Sequence, residues 1–505
     1  GHDACIVCEH DRAQYNHRSA QLDWIAAQLG HENVKLWLSA GWTFYVVVVG
    51  VWILLQRSQP IATLSWLLSM AALPVVGLVV YYYFGPQRMK RQRIKRLRSR
   101  KRSRVRSSMQ KLRERIPAQQ ERLRQVARLV GMTSEFPVST ATSMQLLVGG
   151  AATFDAIADA VNAARHHVHL EYYIYEPDQT GTALRDLLIE KAKAGVQVRL
   201  LIDALGSKKL GRTFLKPLQQ AGAEVLRFHD SKIGRRLRPV VNFRTHRKIL
   251  ICDGKVGFTG GVNVTDEENE RIRADAYHDV HIRVEGSVVN WLQTVFLEDW
   301  AYTLGKDPYK LPKTLDDLLP DCEDGSIPMQ VVTSGPDDQL DAIYRAYLAA
   351  INAAQQRIWL TTPYFVPTEG ALTALTNAAL RGVDVRILVP KKSDSVFVTA
   401  AARSYFDELI RCGVHIYEYD ASMLHSKTLV VDDNMAMVGT ANFDYRSFFL
   451  NYEVCVIGYG PELNQALDKQ FLADLAQASA VQYRSEKGLR RRLFGSIARL
   501  TSPLL

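Results

Sequence analysis

The sequence predicts an α/β protein in which two tandem layered domains with mixed β-sheets, related by a pseudo-twofold, follow an N-terminal two-helix transmembrane hairpin. Three observations predict it. Two uncharged apolar stretches lie close together near the N-terminus. Beyond residue 135 the chain repeats one pattern of helix, apolar strand, helix and apolar strand. Each repeat also carries a strand led by His-x-Lys and closed by Asp: "HRKILICDG" from His246 and "HSKTLVVDD" from His425. The divisions that follow are 1–34, unassigned; 35–84, the hairpin; 85–134, a basic juxtamembrane linker; 135–310 and 325–485, the two domains; and 486–505, a basic amphipathic tail.

The hairpin rests on length and charge. Leu36 to Leu55 and Ile61 to Phe84 carry no charged residue, and about 20 helical residues rise the roughly 30 Å of a bilayer's hydrocarbon core. The short link between them forces the helices antiparallel. Buried core helices are a poor alternative, because neither stretch has a polar face. From Arg88 to Arg106 there are twelve Lys or Arg and no acid, which by the positive-inside rule puts both ends of the hairpin in the cytoplasm. The run fits anionic headgroups, nucleic acid, or a solvated helix that only fixes topology; its place directly after a span favours lipid. The chain's net charge of +11 agrees with an anionic partner. Of six cysteines, four are scattered singly, as reduced thiols are. Cys5-x-x-Cys8-x-His10 has metal-ligand types, but a single CxxC is a weak signal and fits a terminal tail better than a metal site.

The repeat is legible segment by segment. "AARHHVHLEYYIYEP" from Ala163 matches "AAQQRIWLTTPYFVP" from Ala353, and "AGVQVRLLIDALGS", ending at Ser207, matches "RGVDVRILVPKKSDS", ending at Ser395. A basic insert between Phe228 and His246 has no counterpart in the second half; a lid, a membrane-facing loop and an ordinary surface loop all fit it. At the C-terminus Leu489, Leu493, Ile497 and Leu500 form an apolar stripe among arginines, which suits either a membrane interface or packing on the second domain.

A His-x-Lys strand start puts an imidazole and an ammonium on one face, because strand residues alternate. At equal spacing after each His, small-residue turns end in Asn263 and Asn442. Lys and Asn donate hydrogen bonds suited to phosphate oxygens. Two such clusters facing each other across one phosphate would let one His attack phosphorus while the other protonates the leaving oxygen. Each His then needs an acceptor on its other nitrogen, for which Asp279 and Glu453, each opening a strand after its own motif, are the candidates. Asp253 and Asp432 fall on the opposite strand face, as structural turn acids would. A single motif fits an ordinary half-buried strand as well as a catalytic one; a matched pair with matched Asn and carboxylate strongly favours the catalytic reading. No metal-site spacing is present in this region.

The duplicated H-x-K-x-x-x-x-D motif with its Asn turn resembles the phospholipase D superfamily. With the N-terminal spans, the basic run, "TTPYFVP", "GTANFDYRS" and "SPLL", the chain from about Lys35 is similar to bacterial cardiolipin synthases. The resemblance implies phospholipase D-like domains, no metal or other cofactor, and phosphatidyl transfer through a phosphohistidine. It carries the motif roles to His246, Lys248, Asp253 and Asn263, and to His425, Lys427, Asp432 and Asn442. The family's small hydroxyl residue before the Asn is Thr440 in the second motif, but Gly261 stands in the first. The expected reaction joins two phosphatidylglycerols to give cardiolipin and glycerol, with His246 as nucleophile and His425 as acid and base. Water, as in a phospholipase D hydrolase, or another alcohol is the alternative acceptor. A nuclease is disfavoured by the hairpin, and a lipid-binding scaffold by two intact motifs. Expected partners are phosphatidylglycerol and anionic membrane lipids, not nucleic acid; a homo-oligomer is compatible. The expected location is the bacterial inner membrane, multi-pass, with the catalytic domains in the cytoplasm.

Overall fold

The computed structural model describes residues 33–54 and 60–81 with short interruptions, residue 116, and residues 120–229, 243–305, 318–338, 340–482 and 498–499. The basic run at 88–106, the basic insert at 230–242 and most of the C-terminal tail lie outside the described residues. The chain divides into two compact units, residues 1–87 and 88–505.

In the first unit residues 39–54 are helical and Pro60–Ala72 forms another helix. They touch through a small apolar cluster of Ile53, Met70 and Tyr81. Other apolar side chains, among them Phe44, Val47, Trp52, Leu64 and Leu68, are exposed. The described helices cover only part of the two expected spans, and among the described residues no helix is long and apolar enough to cross a membrane.

The second unit holds two sheets of matching order. Its strands are β1 (Ser139–Ala141), β2 (Ser143–Val148), β3 (His167–Tyr172), β4 (Gln197–Asp203), β5 (Glu224–Phe228), β6 (Ile249–Cys252), β7 (Val256–Gly260) and β8 (Val280–Glu285), then β9 (Ile327–Ser334), β10 (Arg357–Thr361), β11 (Phe365–Val366), β12 (Asp384–Pro390), β13 (His415–Tyr419), β14 (Thr428–Val431), β15 (Met435–Gly439), β16 (Phe443–Asp444), β17 (Glu453–Tyr459) and β18 (Ala478–Ala480). The first sheet runs β2-β8-β7-β6-β3-β4-β5. The second runs β9-β17-β15-β14-β10-β12-β13 in the same order, flanked by β1 and β18. Both are mixed: β3, β4 and β5 are parallel, as are β10, β12 and β13, and the other pairings within the two orders are antiparallel. The expected repeat of two mixed-sheet α/β layers is thus present. One strand crosses over: β1, at the start of the first domain, pairs with β9 of the second sheet, Ser139 opposite Met329.

Helices cover both sheets, which is why β6 and β14 are buried along their whole length. Strand alternation sends Leu250 and Cys252 to an outer core under α2 (Gly150–Ala163) and α3 (Gln179–Lys193), and Ile249 and Ile251 to the inner core. That inner core is shared. It holds α5 (Ser287–Leu304) from the first half, α10 (Pro461–Leu475) from the second, and inward residues of both sheets, such as Ile282 and Val456. Between them in order come α4 (Arg212–Gln220) before α5, and α6 (Ala342–Ala353), α7 (Glu369–Leu380), α8 (Val396–Arg411) and α9 (Tyr445–Phe449) before α10; α1 (Glu121–Ser134) precedes them all. Of the C-terminal tail, Ala498 is buried in the outer core of the second half and the Arg499 guanidinium lies 4.4 Å from the Tyr405 ring on α8.

Candidate active site

Two parallel bridges between the halves build the site. Thr245, just before His246, lies opposite Tyr452, just before Glu453. His278, just before Asp279, lies opposite Leu424, just before His425. Backbone hydrogen bonds hold both: His246 N to Tyr452 O at 2.9 Å and His425 N to His278 O at 2.8 Å. The next residue of each paired segment therefore projects to the same side. His246 Nδ1 donates to Glu453 Oε2 at 3.0 Å, and His425 Nδ1 donates to Asp279 Oδ2 at 2.6 Å. The two carboxylates expected from sequence are thus the partners of the histidines, but crosswise: each half orients the histidine of the other.

The residues between His and Lys reinforce this. Arg247 Nε donates to the Glu453 carbonyl at 3.1 Å, and Ser426 Oγ to the His278 carbonyl at 3.3 Å. Arg247 is itself held by the buried Asp299. Each Lys folds back on its own strand start, Lys248 Nζ to His246 O at 2.9 Å and Lys427 Nζ to His425 O. Lys427 also lies 3.5 Å from Asp279. Tyr173 packs edge-on to His246 at 4.8 Å between centroids, and Tyr277 lies 5.8 Å from His425.

The cluster is buried and full of opposed charge. Burial, then the neighbouring Lys427, pushes the Lys248 ammonium far below its usual pKa. Burial also lowers Lys427, with Asp279 working the other way. Both histidines are held below the ordinary imidazole value, His425 down to about 4, by burial first; Lys427 adds to this at His425, whereas Glu453 opposes it at His246. Burial disfavours charge on Asp279 and Glu453 too. Lys427 and His425 outweigh it at Asp279, and His246 and Lys248 at Glu453, so both carboxyls sit below their usual pKa. Neutral imidazoles between fixed carboxylates and ammonium groups suit a nucleophile and a proton carrier awaiting an anionic substrate.

Sequence reasoning missed Glu268. It is 1 % exposed, its Oε1 lies 3.4 Å from His425 Nδ1 and accepts from Asn263 Nδ2 at 2.7 Å. Burial first and Asp279 second push its carboxyl up. A signal existed: an acid stands five residues after Asn263, where Ser447 stands five residues after Asn442. The second half answers differently, with Ser447 Oγ accepting from Asn442 N at 3.2 Å. Asn263 and Asn442 are both buried, and their Oδ1 atoms make no hydrogen bond among the described residues. Glu268, Asp279 and His425 bring one donor atom each within 4.8 Å of one another. An ion there would have to displace the Lys427 ammonium and the His425 proton that already serve Asp279.

Thr440 and Gly261 differ for a steric reason. Thr440 Oγ1 donates to Glu453 Oε2 at 2.5 Å, and its carbonyl lies 3.1 Å from His246 Nδ1. At Gly261 an added Cβ would fall on the Asp279 carboxylate. The first half thus has no room for a side chain where the second uses one to fix its carboxylate.

Asp253 and Asp432 lie at the other end of their strands. Each sits in a left-handed turn, φ 55° and 47°. Asp253 accepts from the backbone N–H groups of Arg165, His166 and His167 at 2.8–2.9 Å. Asp432 does the same for Gln355, Gln356 and Arg357. They pin the entry of β3 and β10 to the exit of β6 and β14, as their strand face suggested, and they do not join His246 or His425.

Comparison with known proteins gives the following. A family model described as "Cardiolipin synthase, PLD-like domain" matches residues 157–300 and 347–475, and one described as "Phospholipase_D-nuclease N-terminal" matches residues 44–86. A cardiolipin synthase of Geobacillus sp. is 40% identical over 468 residues, 91% of this chain and 92% of the relative. Cardiolipin synthase 1 of Bacillus anthracis is 38% identical over 477 residues, 92% of this chain and 93% of the relative. Among solved structures, phosphatidylserine synthase of Haemophilus influenzae aligns with TM-score 0.56 at 14% identity, over 75% of this chain and all of that one, a likeness of fold.

Proposed function

The chain belongs to the cardiolipin synthase family of phospholipase D-like proteins, and we propose that it transfers a phosphatidyl group from one phosphatidylglycerol to another, giving cardiolipin and glycerol. It is a phosphatidyltransferase, and its substrates are phospholipids. The observation that carries the mechanism is the crossed pair of buried histidines, each hydrogen-bonded to a carboxylate of the other half.

In this reading neutral His246, its Nδ1 proton held by Glu453, attacks phosphorus through Nε2. The phosphodiester brings negative charge beside His425, which favours uptake of a proton from water at its Nε2 in the first turnover; the second lipid's hydroxyl returns that proton at the end of each cycle. His425 then protonates the departing glycerol oxygen, leaving phosphatidyl-His246. A second phosphatidylglycerol enters, and His425 takes the proton from its terminal hydroxyl. The freed oxygen attacks phosphorus and regenerates His246. Lys248, Lys427, Asn442 and the remaining N–H of the Asn263 amide stabilise the charged oxygens of the transition state, whereas the one hydroxyl proton of Thr440, a residue the superfamily motif suggests for phosphate contact, is held by Glu453 and steadies that carboxylate. Asp253 and Asp432 act at a distance, by fixing the strands.

The membrane hairpin belongs to the same reading. The family match over residues 44–86 and the exposed apolar side chains of both N-terminal helices support two antiparallel spans in the bacterial inner membrane, with the transferase unit on the cytoplasmic side. Purified protein given phosphatidylglycerol alone tests the acceptor. Cardiolipin with equimolar glycerol is expected. Phosphatidic acid as the sole lipid product would make the enzyme a hydrolase instead.

A further inference from the structure

We infer that the loops following β4 and β12 form a bilayer-docking rim around the mouth of the site, which seats the transferase unit on an anionic lipid surface. The inference rests on the phospholipid reading above and adds the face by which the enzyme meets its substrate.

The geometry begins with the bridges. They are parallel, so the segments entering β6 and β17 run the same way, and the site ends of both sheets face one direction. Because β3 is antiparallel to β6, the C-terminal ends of β3, β4 and β5 lie at that end; the same holds for β10, β12 and β13 beside β14. The loop at 204–211 follows β4 and the loop at 391–395 follows β12. They are equivalent in the repeat and open on the same side.

Each loop stands one residue away from a histidine. Ser207 Oγ donates to the carbonyl of Tyr173, whose ring packs on His246. Asp394 accepts from Tyr364 Oη at 2.7 Å and acts electrostatically on Tyr277, which lies beside His425.

What the loops present is apolar and basic. Leu205 in the first loop is 49% exposed, Val396 and Phe397 in the first turn of α8, directly after the second loop, are 73% and 53% exposed, and Lys208 and Lys392 in the two loops are exposed. Val148 and Leu340, also exposed, lie at the same end, where β2 and β9 finish. A large apolar side chain pointing outward is ordinary when it stands alone. Here the first loop, and the helix turn that closes the matched second loop, each carry one or two, next to lysines and around a site whose substrate is an anionic lipid. That pattern suits an interface in which apolar tips enter the headgroup layer while the ammonium groups stay with the phosphates.

The test places a nitroxide label on the full chain in phosphatidylglycerol–phosphatidylcholine vesicles. Leu205→Cys and Val396→Cys are read against Leu380→Cys, an equally exposed apolar position at the far end of α7, with Cys5, Cys8, Cys322 and Cys412 replaced by Ser and only the buried Cys252 and Cys455 kept. Labels at 205 and 396 should be open to lipid-soluble oxygen and shielded from an aqueous nickel chelate, and the label at 380 the reverse. Equal nickel access at all three positions overturns the proposal. A second arm uses Leu205→Ser/Val396→Ser/Phe397→Ser. Transfer on vesicles should fall about tenfold, while transfer on dispersed short-chain phosphatidylglycerol stays within about twofold. Equal losses on both substrates, or no loss on either, also overturn it. Wild-type protein that makes no cardiolipin, with labels 205 and 396 still in lipid, would instead count against the transfer reading alone.

Discussion

Glu453→Gln tests the crossed orientation at a single atom. The change keeps the side chain's shape and removes its charge. In the native site Oε2 accepts from His246 Nδ1 at 3.0 Å and from Thr440 Oγ1 at 2.5 Å, while Oε1 accepts from Asn451 Nδ2 at 3.2 Å. A Gln has one oxygen for these two positions. If the oxygen stays with Asn451, the NH2 group faces His246 Nδ1 and forces the proton to Nε2, the nitrogen needed for attack. If the oxygen turns to His246, the NH2 group meets the Asn451 amide donor. Losing a charge-assisted hydrogen bond to a buried group costs about 1.5–3 kcal/mol, or about tenfold to a hundredfold in rate. A wrong tautomer can bring the total to about 10⁴-fold, the size seen for the equivalent change in the serine-protease triad. A kcat loss of about 10²- to 10⁴-fold on phosphatidylglycerol is expected. Side-chain nitrogen NMR should show the His246 signals displaced and those of His425 in place. Activity within about threefold of wild type, or displacement confined to His425, refutes the crossed arrangement.

Three further outcomes follow from the same geometry. Gly261→Ser would make the first motif look more like the second, yet it should lower transfer by at least about a hundredfold, because its Cβ displaces the Asp279 carboxylate from His425; unchanged kcat would contradict this. Asp253→Ala removes the acceptor of three backbone N–H groups and puts a Cβ-bearing residue without a polar side chain at φ 55°; about 2–4 kcal/mol of stability should be lost by chemical denaturation, with kcat per folded molecule nearly retained. Burial pulls His278 down, but its 2.7 Å hydrogen bond to Asp474 and that carboxylate's charge outweigh it, so its folded pKa is raised. The pair's stabilisation is then fully present below the unfolded value of about 6.5 and lost as pH rises through the higher folded value; Asp474→Asn should flatten that stretch of the pH–stability curve, and an unaltered curve would assign the stability to other groups.

How much of this was legible in the sequence follows from which interactions are local. The His-x-Lys spacing puts both side chains on one strand face, and the structure keeps them there. The turn role of Asp253 and Asp432 was also readable, because their odd separation from Lys turns them away from the site. Their place in the superfamily motif suggests chemistry; their hydrogen bonds are to the backbone at β3 and β10. Glu268 left only a weak trace, since an acid in "NVTDEENE" looks like an exposed loop until folding buries it beside Asn263.

By itself the sequence determined the repeat, the mixed α/β layers, the two motif pairs and the candidate orienting carboxylates. Strand period, apolar patterning and duplication are properties of neighbouring residues and survive in one dimension. Only the tertiary structure decided that Glu453 serves His246 and Asp279 serves His425. That choice is made by the parallel bridges Thr245–Tyr452 and His278–Leu424, which join segments far apart in the chain. The departure at Gly261 has the same origin. The chain shows a missing hydroxyl, whereas the folded site shows that Asp279, reaching toward the other half's histidine, occupies the space a side chain would need.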